Sequence, residues 1–176
     1  MARTHRPLPP LDSADLERIA LRYVERFATT RAKLADYLRR KLRERGWDGD
    51  TPADPDALAD RMVARGYVDD AAYAAAKARS MARRGLGARR VAEALRHAGV
   101  DDAAAPPPDD DPEAAAMDSA LVFARRRRIG PFASAPADPD AQRRQFAAML
   151  RAGHAPNIAR KIVKMFPGEG EGELSR

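Results

Sequence analysis

The 176-residue sequence contains no cysteine, and only 6% of its residues are aromatic. A disulfide scaffold, a cysteine-ligated zinc site and a cysteine nucleophile are therefore excluded. Alanine is the commonest residue, with 38 copies, so we expect a thin helical core rather than a broad β-sandwich. No apolar run approaches the roughly 18 residues of a membrane span, and residues 1–10 lack the apolar stretch of a secretory signal. These absences predict a cytoplasmic protein without a membrane segment.

Sequence patterns of enzymes and of cofactor or metal sites are also missing. There is no G-x-x-x-x-G-K-[ST] phosphate loop and no G-x-S-x-G nucleophile turn. The histidines, His5, His97 and His154, are not spaced as metal ligands, so we expect them on the surface. Residues 85–87, Gly-Leu-Gly, are too short for a dinucleotide fingerprint and are typical of a flexible joint. We expect a protein that is not an enzyme and that needs no cofactor and no metal.

Basic charge is the first positive feature, with a formal net charge of +6. It is segregated along the chain, because residues 17–47, 77–97 and 117–166 are basic while residues 48–60 and 101–113 are acidic. Polyanions or acidic protein surfaces are the natural partners of such a chain. Solvated helix faces with acidic residues at the helix starts would give the same pattern, and charge alone does not separate the two interpretations.

Apolar residues recur at helical spacing, and the helix boundaries carry clear signals. An aspartate before a proline marks three starts, at residues 54–55, 111–112 and 138–139. A glycine before an apolar residue, typical of a Schellman stop, marks ends at Gly46, Gly66 and Gly99, with a weaker copy at Gly153. The pattern predicts helices at residues 13–28, 30–45, 55–65, 70–84, 87–98, 112–128, 139–152 and 156–166.

The glycine stops reveal an internal repeat. Gly46, Gly99 and Gly153 are 53 and 54 residues apart, and an apolar residue expected in the core precedes each by four positions. The spacing predicts three tandem three-helix units that must stack on their neighbours. The predicted organisation is a disordered arm at 1–11, a first repeat at 12–67, a second repeat with a truncated third helix at 68–105, an acidic proline-rich linker at 106–111, a third repeat at 112–167 and a disordered tail at 168–176.

Arginines cluster near the ends of three predicted helices. Arginine at a helix C-terminus also complements the helix dipole, but three clusters in one small chain favour a polyanionic or acidic partner. The single asparagine and two glutamines argue for binding to a nucleic-acid backbone or a protein rather than for reading of bases. The predicted contact residues are Arg39, Arg40, Arg43, Arg79, Arg83, Arg84, Arg89, Arg90, Arg125, Arg126, Arg127 and Arg128.

Residues 58–100 resemble the middle of the RecX family, the regulators of the RecA recombinase, and a weaker resemblance extends over residues 15–166. The matching pieces are Gly66-Tyr67-Val68-Asp69-Asp70, Tyr73, Arg83-Arg84-Gly85, Gly87-Ala88-Arg89-Arg90-Val91, Leu95 and Gly99-Val100. We interpret the motif as architectural: Gly66 ends a helix, Tyr67 packs back on it, and Asp69 caps the next helix. Its architectural residues are Gly66, Tyr67, Asp69, Asp70, Tyr73, Gly85 and Gly99.

The resemblance implies an all-α fold, an elongated array of three tandem three-helix repeats of the helix-turn-helix kind, and a monomer. It also implies binding to the RecA–DNA filament and inhibition of RecA ATP hydrolysis, recombination and co-protease activity, in recombinational repair and the SOS response. The sequence departs from the family after Val100, where residues 106–108 are prolines and leave room for one helical turn. One alternative is a non-enzymatic helical module that binds single- or double-stranded DNA directly. Another is a purely structural helical adaptor that binds neither DNA nor the recombinase.

Overall fold

The computed structural model describes residues 9–101, 104–106 and 110–169. Over these residues the regular structure is helical and includes no strand, apart from an isolated bridge between Leu11 and Trp47, so the all-α prediction is confirmed. Every helix begins and ends within two residues of its predicted boundary. The helices are α1 (Ser13–Arg26), α2 (Arg31–Arg45), α3 (Pro55–Ala64), α4 (Asp70–Arg83), α5 (Ala88–His97), α6 (Pro112–Arg127), α7 (Pro139–Arg151) and α8 (Pro156–Lys164), with a 3-10 turn at Gly130–Phe132.

Side-chain caps fix most of the helix starts. Asp12 caps α1 and Thr30 caps α2, each by accepting a hydrogen bond from a backbone N–H of the first turn. Asp54, Asp111 and Asp138 do the same for α3, α6 and α7, each with a proline at the first helical position. The three predicted Asp-Pro starts are therefore confirmed.

The predicted Schellman stops are confirmed at Gly66 and Gly153, whereas Gly99 shows only the positive φ, 67°, of such a stop. At Gly66 and at Gly153 the following residue donates its N–H back to a carbonyl five residues earlier, which is the Schellman pattern. Gly46 also has positive φ, but its ψ of 177° sends the chain out in an extended conformation. The Schellman prediction is wrong there, because Trp47 does not fold back on α2 but pairs with Leu11.

The described residues form two compact units. Unit 1 comprises residues 9–73, 98–101 and 104, and unit 2 comprises residues 74–97, 105–106 and 110–169. Helix α4 thus begins in unit 1 and continues in unit 2. The boundaries of three repeats stay a prediction.

Unit 1 has a small aliphatic core between α1, α2 and α3. Its largest fully buried side chains are Leu11, Leu34, Leu38 and Met62. Leu11 was expected to end a disordered arm, but the structure places it in the core, where its backbone bonds to Gly46 and Asp48. The rest of that arm, residues 1–8, lies outside the described residues.

Unit 2 has its own core, formed by α6, α7, α8 and the 3-10 turn. Met149 and Ile162 are fully buried there among small alanines. The expected tail begins with a turn, because the N–H of Gly168 donates to the carbonyl of Pro131 over 2.9 Å; residues 170–176 lie outside the described residues. This unit positions most of the predicted arginines.

Candidate partner-binding surface

The turn between α4 and α5 in unit 2 is fixed by close backbone packing. Gly85 has a φ of +78°, and a Cβ added to it would lie 2.7 Å from the backbone nitrogen of Phe123. A Cβ on Gly87 would lie 2.3 Å from the carbonyl of Gly153, and the N–H of Gly87 donates to Ala152 over 3.0 Å. The prediction of a flexible joint at residues 85–87 is wrong, because both glycines are there to allow close approach.

His154 secures the same turn. Its side chain is only 6% exposed, with Nε2 at 3.1 Å from the carbonyl oxygen of Gly85 and the ring against Phe123. Burial lowers the pKa of His154, and the hydrogen bond to Gly85 opposes that shift in part. The expected surface position is wrong for His154 and confirmed for His97, whereas His5 lies outside the described residues.

Arg126 brings two of the predicted arginine clusters together. Its guanidinium donates to the backbone carbonyl of Arg84 over 3.0 Å and lies 3.5 Å from that of Arg83. These carbonyls belong to the C-terminal end of α4, where the helix itself supplies no N–H partners. The arginines at the end of α4 and at the end of α6 are thus held side by side within unit 2.

Arg89 fixes the start of α5 to the end of α7. Its guanidinium donates to the carbonyl of Leu150 over 2.8 Å, and its backbone N–H donates to Gly153 over 3.3 Å. Arg90, the next residue, pairs with Glu93 on its own helix at 2.7 Å. The backbone at both residues is therefore rigid, and both side chains are exposed.

Two arginines in the last turn of α6 face aromatic rings rather than carboxylates. The guanidinium of Arg125 lies 5.0 Å from the ring centre of Phe132, and that of Arg127 lies 5.9 Å from Phe123. Arg128 ends the helix in the left-handed conformation, with a φ of 54°. We define the arginine cluster as the exposed residues Arg83, Arg84, Arg89, Arg90, Arg125, Arg126, Arg127 and Arg128.

Acidic partners are scarce in this cluster. Among the described residues, Arg90 is its one member within ion-pair distance of a carboxylate. Arg79, also predicted, is exposed on α4 one turn before Arg83. The surface therefore presents guanidinium groups whose hydrogen-bonding capacity is largely open to an external anion.

The predicted arginines of α2 behave differently in unit 1. Arg39 pairs with Asp36 at 2.7 Å and also with Asp56, and the hydrogen bond to Asp56 raises the pKa of Arg39. Arg40 lies over the ring of Tyr37 and 3.7 Å from Glu44. Arg43 is exposed. Much of the charge of α2 is thus compensated by this unit's own carboxylates.

The motif residues mainly fasten the start of α4 within unit 1. The Oδ1 atom of Asp69 accepts from the N–H of Ala72 over 2.8 Å and caps the helix, as predicted. Asp70 accepts from the N–H of Arg31 over 2.8 Å, and the hydroxyl of Tyr73 lies 2.7 Å from Lys33 Nζ.

Tyr67 follows the glycine stop at Gly66. Its backbone N–H folds back to Met62 over 2.9 Å, but its side chain is 53% exposed. The backbone thus makes the predicted return onto α3, while about half of Tyr67 stays exposed to solvent. The chain reversal comes from Gly66, which has a φ of +76°.

Two features of unit 1 escaped the sequence analysis. Thr30 is fully buried, and its hydroxyl donates to the carbonyl of Ala98 over 2.5 Å. Tyr23 and Tyr37 stack with ring centres 4.1 Å apart, and Phe27 extends this group from Tyr23. The spacing of Tyr23 and Phe27 by one helical turn was a signal for the second feature, but the contact with Tyr37 needs the fold.

The described part of the chain offers neither a membrane-spanning helix nor a metal site. None of its helices combines the length and apolar character that a membrane crossing requires. No three of its histidine, aspartate or glutamate side chains are grouped so as to hold a metal ion.

Comparisons with known proteins agree with the fold. A family model described as RecX, second three-helix domain, matches residues 69–105. The chain is similar to the regulatory protein RecX of Myxococcus xanthus (strain DK1622), with 34% identity over 160 residues that cover 86% of each chain. It is 31% identical to the regulatory protein RecX of Agrobacterium fabrum over 160 residues, or 89% of this chain and 85% of that one. The solved structure of RecX from Lactobacillus salivarius matches with a TM-score of 0.59 and 19% identity over 85% of this chain and 93% of the other, which shows the shared fold.

Proposed function

The chain belongs to the RecX family, and from this premise we propose that it binds the RecA–DNA filament and inhibits the ATP hydrolysis, strand exchange and co-protease activity of RecA. Its sequence is 34% and 31% identical to those of two regulatory RecX proteins over most of their length, and this supports a regulatory role. The proposal includes a place in recombinational repair and the SOS response in the cytoplasm. It also includes action as a monomer and by binding alone, without catalysis or a cofactor.

The arginine cluster of unit 2 carries this proposal. Arg126 and Arg89 are anchored on backbone carbonyls, so their helices hold the neighbouring arginines at fixed positions. A preorganised surface loses less conformational freedom when it binds. Guanidinium groups form paired hydrogen bonds to phosphates and carboxylates, and a protein filament on DNA offers both kinds of group. Because guanidinium stays protonated, the cluster supplies no general acid or base at neutral pH.

The test is DNA-dependent ATP hydrolysis by the cognate RecA, with this protein added below one copy per recombinase. We expect inhibition by the wild type and its loss in the charge-reversal variant Arg127→Glu, Arg128→Glu. A matched control is Arg143→Glu, Arg144→Glu on exposed positions of α7, which should still inhibit. Absence of wild-type inhibition at excess protein would refute the proposal, and unchanged inhibition by the cluster variant would remove the cluster from the contact.

A second candidate function is direct binding to DNA, with any effect on RecA arising from competition. Within the part of the chain that the structure describes, Arg90 is the one cluster arginine with a carboxylate partner, and this favours direct DNA binding as well. It predicts that binding to bare DNA weakens steeply with salt, by about 0.7–0.9 log units per log unit of salt for each neutralised phosphate. Filament binding that persists at a salt concentration where bare-DNA binding is lost would exclude competition.

A further inference from the structure

The aromatic group of unit 1 has an exposed end. The rings of Tyr23 and Tyr37 are nearly parallel, at 19°, with centres 4.1 Å apart. Phe27 continues the group at 5.2 Å from Tyr23. Both tyrosines pack against the core of unit 1, whereas Phe27 is 51% exposed and is no part of that core. Burial in the unit therefore does not account for Phe27.

The position of Phe27 is fixed although its ring is exposed. Phe27 follows the last residue of α1, and its backbone N–H donates to the carbonyl of Tyr23 over 3.0 Å. Ala28, the next residue, is exposed, but Thr29 and Thr30 after it are buried. The backbone on both sides of Phe27 is thus anchored in unit 1. The exposed ring therefore has a fixed position, which stacking requires.

Cations surround the aromatic group. The guanidinium of Arg26 lies 5.7 Å from the ring centre of Phe27. Arg40 and Lys41 lie 5.3 Å and 5.7 Å from the ring centre of Tyr37. Arg40 and Lys41 both contact the carboxylate of Glu44, and Arg26 forms no ion pair within the described residues. The surroundings of the rings remain net positive.

This combination distinguishes between possible polyanions. An acidic peptide would use the cations but has no need of an open aromatic face. Duplex DNA offers phosphates but keeps its base faces stacked inside the helix. Single-stranded nucleic acid offers both phosphates and free base faces, and proteins bind it with aromatic rings flanked by basic residues.

We propose that Phe27, backed by Tyr23 and Tyr37 and flanked by Arg26, Arg40 and Lys41, is a stacking site for a base of single-stranded nucleic acid. The site lies wholly in unit 1 and does not involve the arginine cluster of unit 2. One half-exposed ring stacks on a single base. The site therefore increases the affinity for a single strand but does not distinguish one base from another.

The test measures binding of a fluorescent oligo(dT) and of a duplex of equal length by anisotropy, without RecA. We expect Phe27→Leu, which keeps apolar bulk but removes the ring, to weaken oligo(dT) binding about 5- to 150-fold, the range for one lost base–aromatic stack. Duplex binding should stay within about twofold, and Phe27→Trp should bind oligo(dT) at least as well as the wild type. The matched control is Phe166→Leu, at a ring that is 62% exposed in unit 2, and it should bind like the wild type.

Photocrosslinking gives a direct readout. An oligonucleotide carrying 5-iodouracil should crosslink to Phe27, or to Tyr23 or Tyr37 beside it, and peptide mass spectrometry locates the adduct. The proposal is overturned if Phe27→Leu binds oligo(dT) like the wild type, if it loses single-strand and duplex binding equally, or if the wild type does not bind oligo(dT). Since RecA is absent from these measurements, their failure leaves the proposed effect on RecA untouched.

Discussion

The guanidinium of Arg126 donates a 3.0 Å hydrogen bond to the backbone carbonyl of Arg84. The bond gives a charged donor to a backbone carbonyl that has no N–H partner at the C-terminal end of α4. Other arginines project from the same end of the helix. The bond therefore joins two basic segments that would otherwise repel each other. The arginine cluster therefore depends on Arg126, which holds the ends of α4 and α6 together through this hydrogen bond.

Arg126→Gln should lower the free energy of unfolding by about 1 kcal/mol, because the carbonyl of Arg84 loses its charged donor. Arg127→Gln is the matched control, since Arg127 faces the ring of Phe123 and makes no such bond to α4. It should change stability by less than about 0.5 kcal/mol. Urea unfolding followed by far-UV circular dichroism measures both. Equal effects of the two variants would show that the Arg126 bond does not stabilise the unit.

Comparing the stability lost in Gly85→Ala with that lost in Gly66→Ala separates the cost of backbone strain from the cost of a steric clash. Both glycines have positive φ, but a Cβ at Gly66 meets nothing within 4 Å, whereas one at Gly85 meets the backbone of Phe123 at 2.7 Å. We expect Gly66→Ala to destabilise by about 1 kcal/mol and Gly85→Ala by about 2–4 kcal/mol. Thermal and urea unfolding give the comparison. A Gly85→Ala variant as stable as Gly66→Ala would contradict the close packing of the turn.

Signals for the helix boundaries are local, and this is why the sequence predicted them well. An aspartate before a proline, as at Asp54, caps a helix through N–H groups only two or three residues away. The role of Gly85 depends instead on Phe123, and that of Gly87 depends on Gly153. Nothing near residues 85–87 reveals these partners, so the turn resembled a flexible joint.

The same limit applies to the candidate site. Arg39 and Arg126 have equivalent sequence contexts, because each lies in a basic run at the end of a helix. The fold gives Arg39 two carboxylates and gives Arg126 two backbone carbonyls. The sequence predicts contact arginines in both segments, but tertiary contacts decide how much of their charge is left unpaired for a partner.

Thr30→Val should destabilise unit 1 by about 1–3 kcal/mol. The substitution keeps the shape of the side chain but removes the cap of α2 and the 2.5 Å hydrogen bond to the carbonyl of Ala98, which is left buried without its donor. Thr29→Val is the matched control at a neighbouring buried position whose hydroxyl makes only a marginal 3.5 Å contact. It should lower the free energy of unfolding by less than about 0.5 kcal/mol. Similar losses for both variants would show that burial, and not the bond to Ala98, makes Thr30 important.

The stability of unit 2 should fall as the solution becomes acidic, because of His154. Burial holds the pKa of the folded His154 below its ordinary value of 6.5. Below about pH 6.5 the unfolded chain binds a proton that the folded chain still excludes, so the free energy of unfolding decreases as the pH falls toward the folded pKa. Above about pH 6.5 the imidazole is neutral in both states, and its contribution to stability is fully present.

His154→Gln tests this assignment, because glutamine offers an N–H donor for the carbonyl of Gly85 but does not titrate. We expect wild-type stability, measured by urea unfolding from about pH 8 to about pH 5, to decline below about pH 6.5 more steeply than that of His154→Gln. His97→Gln, at an exposed position on α5, should retain the wild-type profile. Parallel profiles for the wild type and His154→Gln would mean that the buried imidazole is not the titrating group, and the bond from His154 to Gly85 would then stabilise the turn equally across this range of pH.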